Sequence, residues 1–256
     1  MAEVSATERR LQTKHLLQEH GRASVSKLSE RFGVSEVTVR KDLRALEEEH
    51  VLIRTHGGAV LAEHYKFDLP FDAQAALHAE EKRRIGQAAA ARVRDGDAII
   101  LSSGSTPAQV ARHLEGRKGL TVLTSSIRIA SELISNEEVD VLMLGGQFHS
   151  ATASVAGPYA EQMLRDHALQ KLFLATDGCD IKHGLTTTSM MEAHLQRIMM
   201  EVATEVIVVA DASKFGRRGL SRISGVEEID VFVTDDRVSE HNVRHLEEAG
   251  VEVVVV

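Results

Sequence analysis

The chain has 256 residues and a mass of 28.0 kDa, enough for two domains with separate cores. Hydrophobic residues make up 43% and charged residues 27%, an ordinary soluble composition, and no window approaches the ~18 apolar residues of a membrane span. The net charge of −8 excludes a chain that is basic throughout, but it is uneven: residues 1 to 60 hold 10 Lys and Arg against 9 Asp and Glu, and the remainder holds 20 against 29.

Residues 7 to 20 read as a first helix, with Leu11, His15 and Leu16 toward the elements that follow. Ser24 is placed to cap a second helix carrying Leu28 and Phe32 on one side, and Gly33 follows where a helix ends in positive φ. Ser35 then caps a third helix, with Glu36 near its positive dipole end. Val39, Leu43 and Leu46 form its apolar stripe, and Val37, Arg40, Lys41 and Arg44 fall opposite. Val51 to Arg54 and Ala59 to Leu61 read as a hairpin turned by Thr55-His56-Gly57-Gly58. A tight-turned helix pair followed by a hairpin is a winged helix-turn-helix. Its second helix would enter a DNA major groove, with Ser35, Val37, Thr38, Arg40, Lys41 and Arg44 as candidate contacts and Arg54 and His56 at the wing. A basic helix face merely bathed in solvent is the alternative; the Gly33 turn, the second cap and the hairpin weigh against it. DNA contact is expected to be local to this helix, because the acidic remainder is repelled by a duplex.

Residues 62 to 78, with Pro70 among them, read as a linker. Tyr65, Phe67 and Phe71 are apolar for a free tether and are expected to dock on a domain or a neighbouring subunit. Residues 79 to 94 form a helix with Ile85, Ala88, Ala89 and Val93 on one face. Seven short apolar runs follow, at 98–101, 120–124, 139–145, 171–176, 205–211, 229–235 and 251–256, with helical segments between most of them. Buried runs alternating with helices predict an α/β fold: a doubly wound, mostly parallel sheet over 79–256, behind the winged helix-turn-helix of 1–61. Such sheets bind ligands at the carboxyl ends of their strands.

Four strand ends carry suitable chemistry. Ser103, Gly104, Ser105 and Thr106 follow the first run; with Thr106 as cap and Pro107 opening a helix, they suit an anion. Thr124, Ser125 and Ser126 end the second run, where capping explains them equally well. Asp177 and Asp180 flank Gly178-Cys179 and suit sugar hydroxyls, or else an Asx turn. Asp211-Ala212-Ser213-Lys214 brings a cation, Lys214, that can pair with phosphate. Glu192 lies just past Gly184-Leu185-Thr186-Thr187-Thr188, where it can point at the same pocket. Gathered at the ends of one sheet, these residues suggest a phosphorylated sugar or polyol. Cys179 is the lone cysteine, so no intramolecular disulfide forms; with no signal peptide evident, a cytoplasmic location is expected. The 13 histidines show no metal spacing, and neither a metal nor a cofactor is expected.

The segments FGVSEVTVRKDL (32–43), RTHGGAV (54–60), LSSGST (101–106), ATDGCD (175–180) and DASKFG (211–216) closely resemble the DeoR-type family of bacterial sugar-metabolism regulators. The resemblance implies a transcription factor, usually a repressor, that binds operator DNA, senses a phosphorylated sugar and acts as a homo-oligomer, dimer or tetramer. The C-terminal half is also similar to ribose-phosphate isomerase. That similarity places a phosphate loop on Gly104, Ser105 and Thr106, an acidic pair on Asp177 and Asp180, a lysine on Lys214 and the catalytic base near Glu192. The sequence departs from the isomerase at Gly184 to Thr188, and at Ile181, where the isomerase has a glutamate. The family's usual Thr-Asn-Ser is here Thr124-Ser125-Ser126. A repressor of a carbohydrate-utilisation operon is therefore expected, and not an enzyme; the alternative is a sugar-phosphate isomerase with a DNA-binding appendage.

Overall fold

Local signals set the helices of the N-terminal unit, Met1–Leu69, one of two into which the chain divides in a computed structural model describing residues 5–20, 22–48, 52–55, 57–61 and 71–256. Its elements run α1 (Ala6–His20), β1 (Arg22–Ser24), α2 (Val25–Phe32), α3 (Glu36–Glu48), β2 (Leu52–Thr55) and β3 (Gly58–Leu61). The Ser24 hydroxyl accepts from the Lys27 amide and caps α2, and Gly33, at φ +63°, ends it in the left-handed region that favours glycine. The Ser35 hydroxyl accepts from the Thr38 amide at 3.2 Å and starts α3. The sheet has three strands, ordered β1-β3-β2: the expected hairpin gains Arg22–Ser24, a strand too short to show as a pattern.

Leu17, Val25, Leu28, Val39, Leu43, Leu46, Leu52 and Ala59 form the core of this unit. The expected inward face of α1 holds at Leu16, which packs against the core, and needs correction elsewhere: Leu11 is 48% exposed and His15 is exposed, whereas Arg9, Thr13 and Leu17 are buried. Arg9 turns inward because Asp42 of α3 lies opposite. Their side chains are 8% and 7% exposed and form an ion pair, with Arg10 adding a 3.4 Å contact to the same carboxylate. Two polar residues thus hold α1 to α3, an arrangement that hydropathy cannot reveal.

In the second unit, Pro70–Val256, all seven apolar runs are strands of one sheet. Every neighbouring pair is parallel, in the order Glu252–Val255, Val231–Thr234, Ala203–Val209, Leu169–Leu174, Ala98–Leu101, Leu120–Thr124, Val139–Met143. Successive residues serve opposite faces: Ile99 and Leu101 join the core beneath the helices at Ala79–Ala90, Ser105–Arg112 and Ile127–Leu133, while Ile100 joins the one beneath Pro158–Arg165, Met190–Val202 and Glu240–Glu248. The result is the expected three-layer, doubly wound domain. Two small antiparallel sheets lie outside this pattern: the hairpin Gln147–His149 with Ser154–Ala156, and a trio of Gly178–Asp180, Gly184–Thr187 and Ser221–Ser224.

The helix after the first sheet strand begins at Ser105, so Pro107 is its third residue, not its first. Its cap is Gly104, not Thr106, at φ +146° and without a side chain to satisfy the first-turn amides. A Cβ there would lie 2.8 Å from that of Ala175, so only glycine fits this loop unchanged.

Candidate functional site

The face of α3 opposite its stripe is open. Val37 is 76% exposed, and Arg40, Lys41 and Arg44 are exposed beside it. Thr38 is half-buried, and its hydroxyl meets that of Ser35 at 2.9 Å, so these two organise the helix start. Arg40 rests on Glu36 at 3.1 Å, both more than half exposed. So exposed a pair is weak, and a DNA phosphate can displace Glu36. Arg54 is bound more firmly: Glu47 takes its guanidinium at 3.2 Å and its amide at 3.1 Å, which fastens the wing to α3. His56 lies outside the described residues. This face offers cations for phosphates and a bare Val37 for a thymine methyl.

In the second unit the strand order reverses between Ala98–Leu101 and Leu169–Leu174, the two neighbours from which the chain winds outward in opposite directions. Ligands of doubly wound sheets bind outside the carboxyl ends at such a switch point. The Ser102-to-Thr106 loop leaves one of these strands and Ala175-Thr176-Asp177 leaves the other. They are tied together: the Ala175 amide donates to the Ser102 hydroxyl at 2.9 Å. Ser105 and Thr106 are nearly buried at the glycine-capped helix start. Their first-turn amides and the helix dipole favour an anion.

Asp177 accepts on Oδ2 from the Thr187 hydroxyl at 2.9 Å and the Thr188 amide at 3.2 Å, so the Gly184-to-Thr188 run orients this carboxylate. Glu192 is 7% exposed in the first turn of Met190–Val202. Burial pushes its carboxyl above the usual range, the Asp177 charge adds to the rise, and hydrogen bonds from Thr152 and Ser154 oppose it. Ser154 donates to Glu192 at 3.1 Å, and His149 acts on the same carboxyl through its charge. The Gln147–Ala156 hairpin therefore brings three polar residues to Glu192 that sequence reasoning missed.

Asp180 does not join Asp177. It sits across from Gly184 at the far end of its strand, three extended residues or about 10 Å away. It accepts from the Lys182 and His183 amides and pairs with Arg218, which holds its carboxyl below the usual range. This is the Asx-turn alternative. Thr124 and Ser126 are likewise occupied: the Thr124 hydroxyl donates to the Leu101 carbonyl and accepts from the Ser126 amide, and Ser126 caps the next helix. Ser125 is 2% exposed, with its carbonyl bound to the Val155 amide.

Lys214 lies in a short 3-10 turn capped by Asp211. Beside it is Lys82, 4% exposed, which sequence reading left as an ordinary helical residue. Burial pushes Lys82 down to about 8; Lys214 adds to the fall, and Asp211 opposes it. Burial works to raise the Asp211 carboxyl, but the Lys82 and Lys214 ammonium groups outweigh it and hold the carboxyl below its usual range. The Ala79–Ala90 and Ser105–Arg112 helices run side by side, meeting where a Cβ on Gly86 would strike Gln109. Both start at the carboxyl edge of the sheet, where Arg84 pairs with Asp236. One turn back from this contact, Lys82 comes level with Ser105. A sequence signal existed: Lys82 is three residues before Ile85 and seven before Ala89, on the buried stripe itself. Among the described residues no group of three His, Cys, Asp or Glu is arranged to hold a metal ion, and no helix is long and apolar enough to cross a membrane.

Comparison with known proteins agrees with the two units. Residues 9–64 match the DeoR-like helix-turn-helix domain and residues 77–236 match the DeoR C terminal sensor domain. Over 255 residues the chain is 34% identical to the putative aga operon transcriptional repressor of Escherichia coli O157:H7, spanning 99% of this chain and 95% of that one. It is 36% identical over 232 residues to the transcriptional repressor AccR of Agrobacterium fabrum, spanning 90% of each. The solved ribose 5 phosphate isomerase A from Neisseria gonorrhoeae is 16% identical over 54% of this chain and 53% of that one, at a TM-score of 0.40.

Proposed function

The chain belongs to the DeoR family of transcriptional regulators, and from that premise we propose that it represses a carbohydrate-utilisation operon under control of a phosphorylated sugar. In this reading the exposed face of α3 enters the operator's major groove. Val37, Arg40, Lys41 and Arg44 supply contacts, Ser35 and Thr38 set the helix start, and Arg54 and His56 flank the wing. The phosphate sits on the first-turn amides after Gly104, with Lys82 and Lys214 as counter-cations; Asp177 and Glu192 take the hydroxyls. Thr124, Ser126 and Asp180 shape loops and leave the ligand-contacting set. A cytosolic homo-oligomer, dimer or tetramer, would set the half-site spacing. The juxtaposition of the Gly104 loop and Asp177 at the switch point is the observation that carries this reading. It is a reading of binding and not turnover, because Asp180 serves a hairpin turn and Arg218.

A DNA-shift titration on the protein's own upstream region, against a panel of sugar phosphates, tests it. At least one sugar phosphate should change operator affinity by tenfold or more. Arg40→Ala should weaken operator binding roughly tenfold, about 1.4 kcal/mol, and lower the salt slope by about 1. An unchanged slope and footprint would remove Arg40 as a reader.

Lys82 gives the sensor a pH dependence. Its folded pKa of about 8 lies below the ordinary 10.5, so the unfolded chain holds that proton more tightly. The unliganded fold should therefore gain stability as pH rises from about 8 to 10.5, the charged form being the costly one. Phosphate affinity should fall over the same rise, because the cation disappears. Lys82→Met should bind inorganic phosphate about tenfold more weakly near neutral pH, as expected for one charge-assisted hydrogen bond. It should also lose the pH dependence of binding around 8 while keeping a thermal midpoint no lower than wild type. Equal affinity and an equal pH profile by calorimetry would exclude Lys82 from the site.

A further inference from the structure

Residues 62–70 connect the two units in the chain, and the first described residues after them, Phe71–Ala76, form a short helix attached to the sensor at both ends. At its start the Phe71 amide donates to the Ala151 carbonyl at 3.0 Å. Asp72 pairs with Arg128 at 2.9 Å, and the Arg128 guanidinium lies 5.4 Å from the Phe71 ring centroid. Phe71 packs against the core under the Ser105–Arg112 and Ile127–Leu133 helices. Toward its other end the Gln74 carbonyl accepts from Lys82 Nζ at 2.6 Å.

Packing Phe71 on the core would be enough to anchor a leader segment. The polar attachments go further, because those at Ala151 and Lys82 land on elements that supply the proposed pocket, and Arg128 adjoins the first of them. Ala151 belongs to the turn that carries Thr152 and Ser154 to Glu192. Ala153, in the same turn at φ +50°, accepts the Ile127 amide at 3.0 Å, and Arg128 is the next residue. Lys82, which holds Gln74, faces Asp211 and Lys214. One six-residue helix is thus bonded to both the polyol side and the cation side of the site.

We infer that Phe71–Ala76 is the lever through which pocket occupancy reaches the inter-domain linker, with Arg128 as its clamp. The inference rests on the anion reading of the same pocket. A phosphate drawn to Lys82 competes with the Gln74 carbonyl for the ammonium protons. Hydroxyls bound at Glu192 compete for Thr152 and Ser154 and move the Ala151 carbonyl with them. Either event loosens one end of the helix, which the chain enters directly from residues 62–70. Arg128 is a positioning residue: its guanidinium touches Asp72 and Phe71.

The test uses the full chain, inorganic phosphate as the probe, and hydrogen exchange with operator affinity as readouts. Phosphate should speed exchange of the Phe71–Ala76 amides several-fold in wild type and change operator affinity about tenfold. Arg128→Ala should bind phosphate within twofold of wild type and bind operator normally without phosphate, but its phosphate response should shrink to less than twofold. The charge-swapped double variant Arg128→Asp with Asp72→Arg should recover the response, which separates the ion pair from a general packing defect. If wild type binds phosphate in a Lys82-dependent manner and the Phe71–Ala76 amides exchange unchanged, or if Arg128→Ala keeps the full response, the lever is overturned while the anion site stands. If wild type does not bind phosphate at all, both fall.

Discussion

Replacing Asp42 with alanine is expected to unfold the N-terminal unit and abolish operator binding. Asp42 is 5% exposed and Arg9 is 7% exposed, so the substitution removes a buried carboxylate that both Arg9 and Arg10 contact. Removing one partner of such a pair costs about 3–5 kcal/mol, because the remaining charge loses the carboxylate that offset its desolvation. That is a large share of the stability of a unit with eight buried hydrophobic core residues among those described. The pair also aims the reader, since Asp42 lies on α3 one position past Lys41. Two-transition melting would show the effect: the N-terminal transition drops or vanishes and the sensor transition stays. Replacing both partners, Arg9→Met with Asp42→Leu, should restore much of the stability, because an apolar pair of similar volume carries no desolvation cost. A singly substituted Asp42→Ala protein that melts like wild type and shifts operator DNA with normal affinity would show that the pair contributes nothing.

The second large effect is expected at Gly104. An alanine there would have to hold a φ of +146°, a conformation almost reserved to glycine, at a cost of about 1–3 kcal/mol. Its Cβ would meet Ala175 at 2.8 Å and the Pro107 ring at 3.2 Å. Relief of that clash parts the two strand ends that meet at the switch point, where the phosphate is proposed to bind. Gly104→Ala should therefore lose phosphate affinity by tenfold or more and lower the sensor midpoint by several degrees, while operator binding without phosphate is retained. Gly116→Ala is the control: it too has positive φ, +81°, but its Cβ would meet nothing within 4 Å, so it should show strain alone and keep phosphate binding. Full phosphate affinity in Gly104→Ala would mean that the anion site is elsewhere.

Much of the architecture is legible because it depends on short-range rules. Ser24, Gly33 and Ser35 bracket their helices with caps that act within one turn. The strands at Ala98–Leu101 and Leu120–Thr124 coincide with the predicted runs, because a parallel strand covered on both faces must be apolar throughout. The site is less legible. Asp177 and Asp180 are equivalent in the sequence, three residues apart, and only the pairing of Gly178–Asp180 with Gly184–Thr187 leaves Asp177 at the switch point and carries Asp180 to a turn. Thr124, Ser125 and Ser126 resemble ligand hydroxyls, yet Thr124 is occupied by the Leu101 carbonyl of the neighbouring strand and Ser126 by the Ile129 amide of the following helix.

The sequence by itself determined the winged reader, the seven strands and the glycine loop, since caps, periodicity and turn chemistry act between residues close in the chain. The tertiary structure alone decided which strand ends are neighbours, why Arg9 and Lys82 are buried, and how the 147–156 hairpin reaches Glu192. Those outcomes depend on contacts between distant segments, where a charge is tolerated in the interior only because a partner from elsewhere in the chain stands beside it.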